Sequence, residues 1–228
     1  MRKLLVVLLV FLVVVVGIGD FVAGAIAEAR LAEVAQRRLG LTERPTVDLH
    51  GFPFLYYALR RRFPGASIEG RDVRVEGLAL QRFTLELRNV RFDSTAAIAG
   101  GGGRLRASEG TGSVEITQDA LGAYLERRDV PFRVDLLGSS RARVSGTASV
   151  LGVEVEAAAE GRLAVAGGTL EFRPERIEVG DGVEVPASLL AFRVDLPAVL
   201  PGLVYDGITV EDRRAVVSFR LRRAVVPL

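Results

Sequence analysis

The chain has 228 residues, no cysteine, a single histidine (His50) and a formal net charge of +2. Its 30 Lys and Arg side chains face 28 Asp and Glu, and Arg2 and Lys3 account for the difference, so the charge balance gives no clustered basic face of the kind nucleic acid requires. Disulfides, thiol catalysis and cysteine metal sites are excluded, and one histidine leaves neither a His pair for zinc nor an evident base for a Ser-His triad.

Arg2 and Lys3 precede an unbroken apolar run from Leu4 to Val16, the pattern of an export signal or a membrane anchor. Basic residues on the near side of the run keep the start of the chain in the cytoplasm and send the rest to the outer face. Residues 1–19 are therefore expected to be a signal peptide or N-terminal membrane anchor, and residues 20–228 a single domain outside the membrane. Ala23, Ala25 and Ala27 offer A-x-A cleavage sites, which favours removal. The segment before Asp20 would rise only about 25 Å as a helix, a little short of a hydrocarbon core of roughly 30 Å, yet a tilted or snorkelling anchor fits as well. Both fates stay open.

From Asp20 to Leu39 the apolar residues Phe21, Val22, Ala25, Ile26, Ala29 and Ala32 recur at helical spacing, with Glu28, Glu33, Arg37 and Arg38 on the other face. Asp20 reads as the N-cap and Gly40 as the C-terminal stop of that helix. Thr46 to His50 then reads as a short strand, Gly51 and Pro53 break it, and Phe54 to Phe63 reads as a short helix ending before Pro64. Five of the fifteen aromatic residues lie between Phe52 and Phe63, followed by Arg60, Arg61 and Arg62. An aromatic apolar face beside a basic cluster suits the boundary between hydrocarbon and anionic headgroups. Ordinary core for Phe52, Phe54, Leu55 and Leu59, with the arginines as a solvated face, explains the same pattern.

Strand patterns dominate from Ala66 onward. Val73 and Val75 alternate with charged residues, as do Phe83, Leu85 and Leu87, and at Arg88-Asn89 the phase slips so that Val90 and Phe92 continue in the other register, the mark of a β-bulge. The alternation returns at Val114 and Ile116, at Ala142 to Val150, at Val153 and Val155, and in Thr169 to Phe172, Arg176 to Val179, Leu203 to Val210 and Ala215 to Leu221. Gly167-Gly168 and Asp181-Gly182 are hairpin turn pairs. Thr117 can cap a helix over Gln118 to Arg128 with Leu121, Tyr124 and Leu125 on one face, and Pro186 can open another over Ala187 to Phe192. The expected fold class is α+β: a long, strongly curved antiparallel sheet wrapping an N-terminal amphipathic helix, with two or three short helices.

Nothing in this pattern assembles a reaction centre. The acidic residues mostly occupy the wet faces of strands, Asp181, Asp206 and Asp212 sit at turns, no serine lies in a G-x-S-x-G elbow, and the Gly100 to Gly103 run lacks the helix and Lys-Ser/Thr of a P-loop. The expectation is a protein that is not an enzyme and needs no metal or cofactor. What remains is binding: a sheet whose apolar face is incompletely covered leaves a groove for an acyl chain, whereas complete cover gives a solid core.

The strand-turn-helix V-D-L-H-G-F-P-F-L-Y-Y-A-L, then D-V-R-V-E-G-L and L-E-L-R-N-V, the later I-T-Q-D-A-L-G-A-Y-L and the closing strand pair resemble the actinobacterial LmeA-like phospholipid-binding family over nearly the whole chain after the leader. The resemblance implies a fold similar to the tubular lipid-binding (TULIP) domains. It also implies binding of anionic phospholipids such as phosphatidylinositol types, and a role in cell-envelope lipoglycan (lipomannan-type) biogenesis, with an envelope glycosyltransferase as the partner such a role would need. On this basis Phe52, Phe54, Leu55 and Leu59, with Leu121, Leu125, Leu189, Leu190 and Phe192, are candidates for the apolar wall. Arg60, Arg61 and Arg62 are candidates for the headgroup. The expected location is the outer face of the cytoplasmic membrane, a periplasm-like space or the exterior. A non-catalytic envelope protein-interaction module with a solid core and no lipid is the alternative.

Overall fold

The computed structural model describes residues 2–39, 41, 43–75, 77–128, 130, 132–150, 153–179, 186, 190–196 and 202–227. The expected α+β class is what the chain adopts, with the strands divided between two antiparallel sheets. One sheet has the order β1-β2-β3-β4-β11-β10 and the other β5-β6-β7-β8-β9. The strands are β1 (Thr46–His50), β2 (Arg62–Val75), β3 (Leu78–Phe92), β4 (Arg104–Thr117), β5 (Arg133–Gly138), β6 (Arg141–Val150), β7 (Val153–Ala166), β8 (Thr169–Val179), β9 (Phe192–Asp195), β10 (Leu203–Glu211) and β11 (Arg214–Pro227). Alternation fixed which face each strand buries but not which strands pair, so the division into two sheets was not legible. The chain forms two compact units: residues 1–70, 85–110 and 222–228 make the first, and residues 71–84 and 111–221 the second.

The first unit is built on helix α1 (Arg2–Leu39), whose apolar first half leaves its side chains exposed. In its second half Ala27, Leu31, Ala32 and Val34 recur at helical spacing and are buried. Burying one such leucine contributes about 2 kcal/mol, which is why the helix is held by this stripe and not by propensity alone. In β1 only Val47 and Leu49 are buried, and the strand pairs with β2 from Thr46↔Glu69 to His50↔Gly65. Gly65 is required there, because a Cβ would lie 2.8 Å from the Leu87 carbonyl oxygen and 2.9 Å from His50 Nδ1. The predicted slip in β3 is real: Leu85 and Leu87 are buried, Asn89 turns left-handed at φ 51°, and Val90 and Phe92 resume burial in the opposite phase. One helical turn, α3 (Thr95–Ile98), was not anticipated; the Ser94 hydroxyl caps it by accepting from Ala97 N–H at 3.1 Å.

In the second unit Thr117 caps α4 (Gln118–Glu126) as the sequence predicts, its hydroxyl accepting from Ala120 N–H at 3.2 Å. Gly167 and Gly168, at φ 60° and 88°, turn β7 into β8. The two separate strands read around Pro174 are one continuous β8, because the register shifts between Glu160 and Gly161 opposite the proline. Gly161 admits that approach only by lacking a Cβ, which would lie 2.1 Å from the Arg173 carbonyl oxygen. The helix expected over Ala187 to Phe192 does not reach its predicted end: Leu190 lies in a turn and Phe192 opens β9, pairing with Phe172. Residues 187–189 and the turn pair Asp181-Gly182 lie outside the described residues.

Candidate functional site

Asp20 is the only charged side chain that is buried among the described residues, at 3 % exposure. It does not cap its own helix, since α1 runs unbroken from Arg2. Its carboxylate instead accepts from Phe54 N–H at 2.7 Å and Leu55 N–H at 2.8 Å, the first turn of helix α2 (Phe54–Arg60). The reason is electrostatic: a buried carboxylate needs donors, and the start of a helix offers N–H groups without intrahelical partners at the positive end of its dipole. Phe54 lies over the glycine four positions beyond Asp20, where a Cβ on Gly24 would meet its ring at 3.4 Å. Further along α1, the Glu28 carboxylate accepts from Leu49 N–H at 2.9 Å and the Ala29 carbonyl accepts from the Arg44 guanidinium.

Helix α2 has no side-chain cap from its own first residues; Pro53 precedes it in an extended conformation and Asp20 supplies what is missing. It ends earlier than predicted, at Arg60, because Arg61 turns left-handed at φ 53° and its N–H bonds back to the Ala58 carbonyl at 3.1 Å. Phe63 thereby becomes a buried strand residue with ring centroids of Phe54, Tyr57 and Phe92 at 5.6, 6.0 and 5.7 Å. Of the predicted apolar candidates here, Phe54 is buried in that aromatic cluster, while Phe52 and Leu59 are 79 % and 80 % exposed and Leu55 is exposed beside Tyr56.

Arg60, Arg61 and Arg62 are all exposed and line one surface cleft of about 740 Å³ together with Asn89, Arg91, Phe92, Asp93, Arg106, Ala107 and Ser108. The Arg60 guanidinium stands 4.3 Å over the Tyr56 ring, and Arg61 Nη1 donates to the Asp93 carbonyl at 2.8 Å, which orients both. Among the described residues none of the five guanidinium groups is ion-paired with a carboxylate. A cleft of this kind favours phosphate or carboxylate oxygens, which guanidinium groups bind through paired N–H donors. The sequence reading missed Arg91 and Arg106: they are outward positions on β3 and β4, distant in the chain, and only strand pairing brings them to Arg60–Arg62. His50, by contrast, has a structural neighbour, with Nε2 3.3 Å from the Ser67 hydroxyl.

The remaining candidates belong to the second unit and are interior. Leu121, Leu125 and Leu190 are fully buried, and Phe192 is buried with its ring stacked on Phe172 at 5.7 Å. Tyr124, between the two α4 leucines, donates its hydroxyl to the Asp195 carbonyl at 2.9 Å, tying the helix to the end of β9. Gln118 fixes the other end of α4, donating to Asp135 Oδ1 and accepting from Leu136 N–H, both at 3.0 Å. Leu189 lies outside the described residues. Among the described residues the acidic groups form no cluster that would hold a metal ion.

An exposed apolar helix fastened to a longer apolar helix, beside a cleft of five arginines, has the chemistry of an amphiphile's two ends. No curated protein and no solved structure matches the chain. The family described as LmeA-like phospholipid-binding matches residues 18–220, the greater part of both units, and the chain belongs to that family.

Proposed function

We propose that this is an exported, membrane-associated protein whose residues 20–228 act as a single phospholipid-binding domain, taking acyl chains on apolar surface and the headgroup among arginines. The observation that carries this reading is the pairing of exposed Phe52, just before α2, and of Leu55 and Leu59, exposed on α2, with the arginine cleft that starts at the next residue. Phe52, Leu55 and Leu59 form the membrane-facing lip, Phe54 the packed wall behind it, and Arg60, Arg61 and Arg62 hold an anionic headgroup of the phosphatidylinositol type. Leu121, Leu125, Leu190 and Phe192, closed in the interior of the second unit, are secondary candidates for the apolar wall that an acyl chain would reach only if that unit opens, and Leu189 is a candidate with them. Burial of about ten methylenes would contribute roughly 8 kcal/mol before ordering costs, so affinity needs no elaborate polar site.

The protein works at the outer face of the cytoplasmic membrane without catalysing a reaction itself, and supports lipoglycan biogenesis beside an envelope glycosyltransferase. Native mass spectrometry of the full chain released from membranes, followed by lipid extraction, tests the reading. Near-stoichiometric phospholipid, enriched in the anionic class over the surrounding membrane, is the expected result. A protein that stays free of lipid after incubation with anionic vesicles would favour the second reading, an envelope protein-interaction module; the closed packing of Leu121, Leu125 and Leu190 is the observation on its side.

A further inference from the structure

An uncharged apolar run that ends at Asp20 is too short to cross a bilayer comfortably, and three alanine sites follow within reach of a signal peptidase. The packing around Asp20 changes both statements. Its charge is taken up by two N–H groups and is shielded from the surroundings, so it does not interrupt the apolar exterior of α1. Exposed apolar side chains therefore continue past it through Phe21, Val22 and Ile26, and no other charged residue occurs between Lys3 and Glu28. From Leu4 to Ile26 the helix rises about 34 Å at ~1.5 Å per residue, which spans a hydrocarbon core of roughly 30 Å.

Cleavage after Ala23, Ala25 or Ala27 would remove Asp20, and the two N–H groups that begin α2 would lose their acceptor. We infer that α1 is retained as a transmembrane anchor and that Asp20 latches α2 to it at the outer surface, so that Phe52, Leu55, Tyr56 and Leu59 lie in the outer leaflet beside the span. The occupant of this exposed apolar surface is the lipid bilayer itself. Two observations select it over a protein partner: continuity with the span through the Asp20 hydrogen bonds, and the arginines that begin where the apolar helix ends, at headgroup depth. Glu28, the next acid along α1, accepts from Leu49 N–H and so fixes β1 immediately beyond the membrane boundary.

This inference rests on the membrane association proposed above, but it fails separately. The intact mass of the full chain, recovered from membranes after alkaline carbonate washing, should correspond to an uncleaved N-terminal helix. A mature start at residue 24, 26 or 28 would overturn the retained anchor, and phospholipid on that shortened protein would leave lipid binding standing. The absence of cysteine allows single labels. With the full chain in nanodiscs, a polarity-sensitive dye on Phe52→Cys or Leu59→Cys should emit as in a membrane interface and be quenched by spin-labelled headgroups; water-like, unquenched emission at both positions would overturn the placement of α2. In Asp20→Ala the Phe54 and Leu55 amides should exchange about tenfold faster and the Leu59 dye should shift toward water. An unchanged exchange rate and dye spectrum in that variant would overturn the latch.

Discussion

The two units handle apolar surface and charge in opposite ways. In the first, Phe52 and, on the short helix that follows it, Leu55, Tyr56 and Leu59 are exposed, and five arginines share a cleft without a carboxylate partner among the described residues. In the second, only Leu137 and Val204 are exposed among large apolar side chains of the described residues, while Tyr124, Phe172, Phe219 and several leucines are fully buried. It also carries ion pairs on its sheets: Arg143 with Glu160 and Glu178, Arg173 and Arg193 with Glu171, Arg220 with Asp206, Arg214 with Glu115. Such exposed pairs add little stability, roughly 0–1 kcal/mol each. Where they form, each guanidinium is offset by a carboxylate, which weakens its attraction for an anionic membrane. With the proposed function, the contrast assigns folding strength to the second unit and lipid affinity to the first.

The sharpest way to break that assignment is a core deletion in the second unit. Leu125→Ala removes a fully buried side chain and should cost about 2–5 kcal/mol, read as a lower midpoint of thermal or denaturant unfolding. Lipid binding below that midpoint should be retained, because in the closed second unit Leu125 is out of reach of acyl chains held by the exposed apolar surface of the first. If Leu125→Ala instead abolished lipid uptake in protein that is still folded, the acyl chain would have to lie in the second unit and the contrast would be wrong.

Next in size is reversal of Arg60, Arg61 and Arg62 to glutamate. Each basic group near an anionic surface contributes about 1 kcal/mol, so the triple variant should lose at least about 100-fold in affinity for an anionic phospholipid titrated into neutral nanodiscs. Retention of neutral phospholipid and the unfolding midpoint should not move. Equal anionic affinity in the variant would remove these residues from the site. Arg91→Gln with Arg106→Gln is the smaller, finer test: the loss should be on the order of tenfold and should diminish as salt is raised, because these groups act by field and donor geometry and not by packing.

How far these features were legible in the chain depends on whether their cause is local. Thr117 announced its helix because a cap and the N–H it accepts from lie three residues apart, and Asn89 announced a change of burial phase because the slip is visible in a few consecutive residues. The basic cluster at Arg60–Arg62 was equally plain. Arg91 and Arg106 were not, since their approach to it depends on strand pairing that alternation does not specify. Asp20 misled for a related reason: local rules gave it the cap of its own helix, whereas the carboxylate satisfies a helix 34 residues later. The early end of α2 was lost because a left-handed Arg61 carries no sequence mark that distinguishes it from its neighbours.

The smallest predicted effects compare the same chemistry in both units. Thr117→Ala and Ser94→Ala each remove a hydroxyl that accepts one N–H at the start of a helix, and each should cost about 1 kcal/mol of stability. Thr117 begins α4, whose buried face ties into the core, so its loss should be confined to the unfolding midpoint. Ser94 follows Asp93, which lines the arginine cleft and whose carbonyl accepts the Arg61 guanidinium. Freeing that turn should therefore also weaken anionic phospholipid binding, by about twofold if half of the cap energy is coupled to the position of Arg61. A double-mutant comparison with Arg61→Gln decides it: Ser94→Ala should add nothing to the lipid defect once the guanidinium is gone, while its stability cost should remain. If the two defects simply added, Ser94 would act on the cleft by a route that does not pass through Arg61.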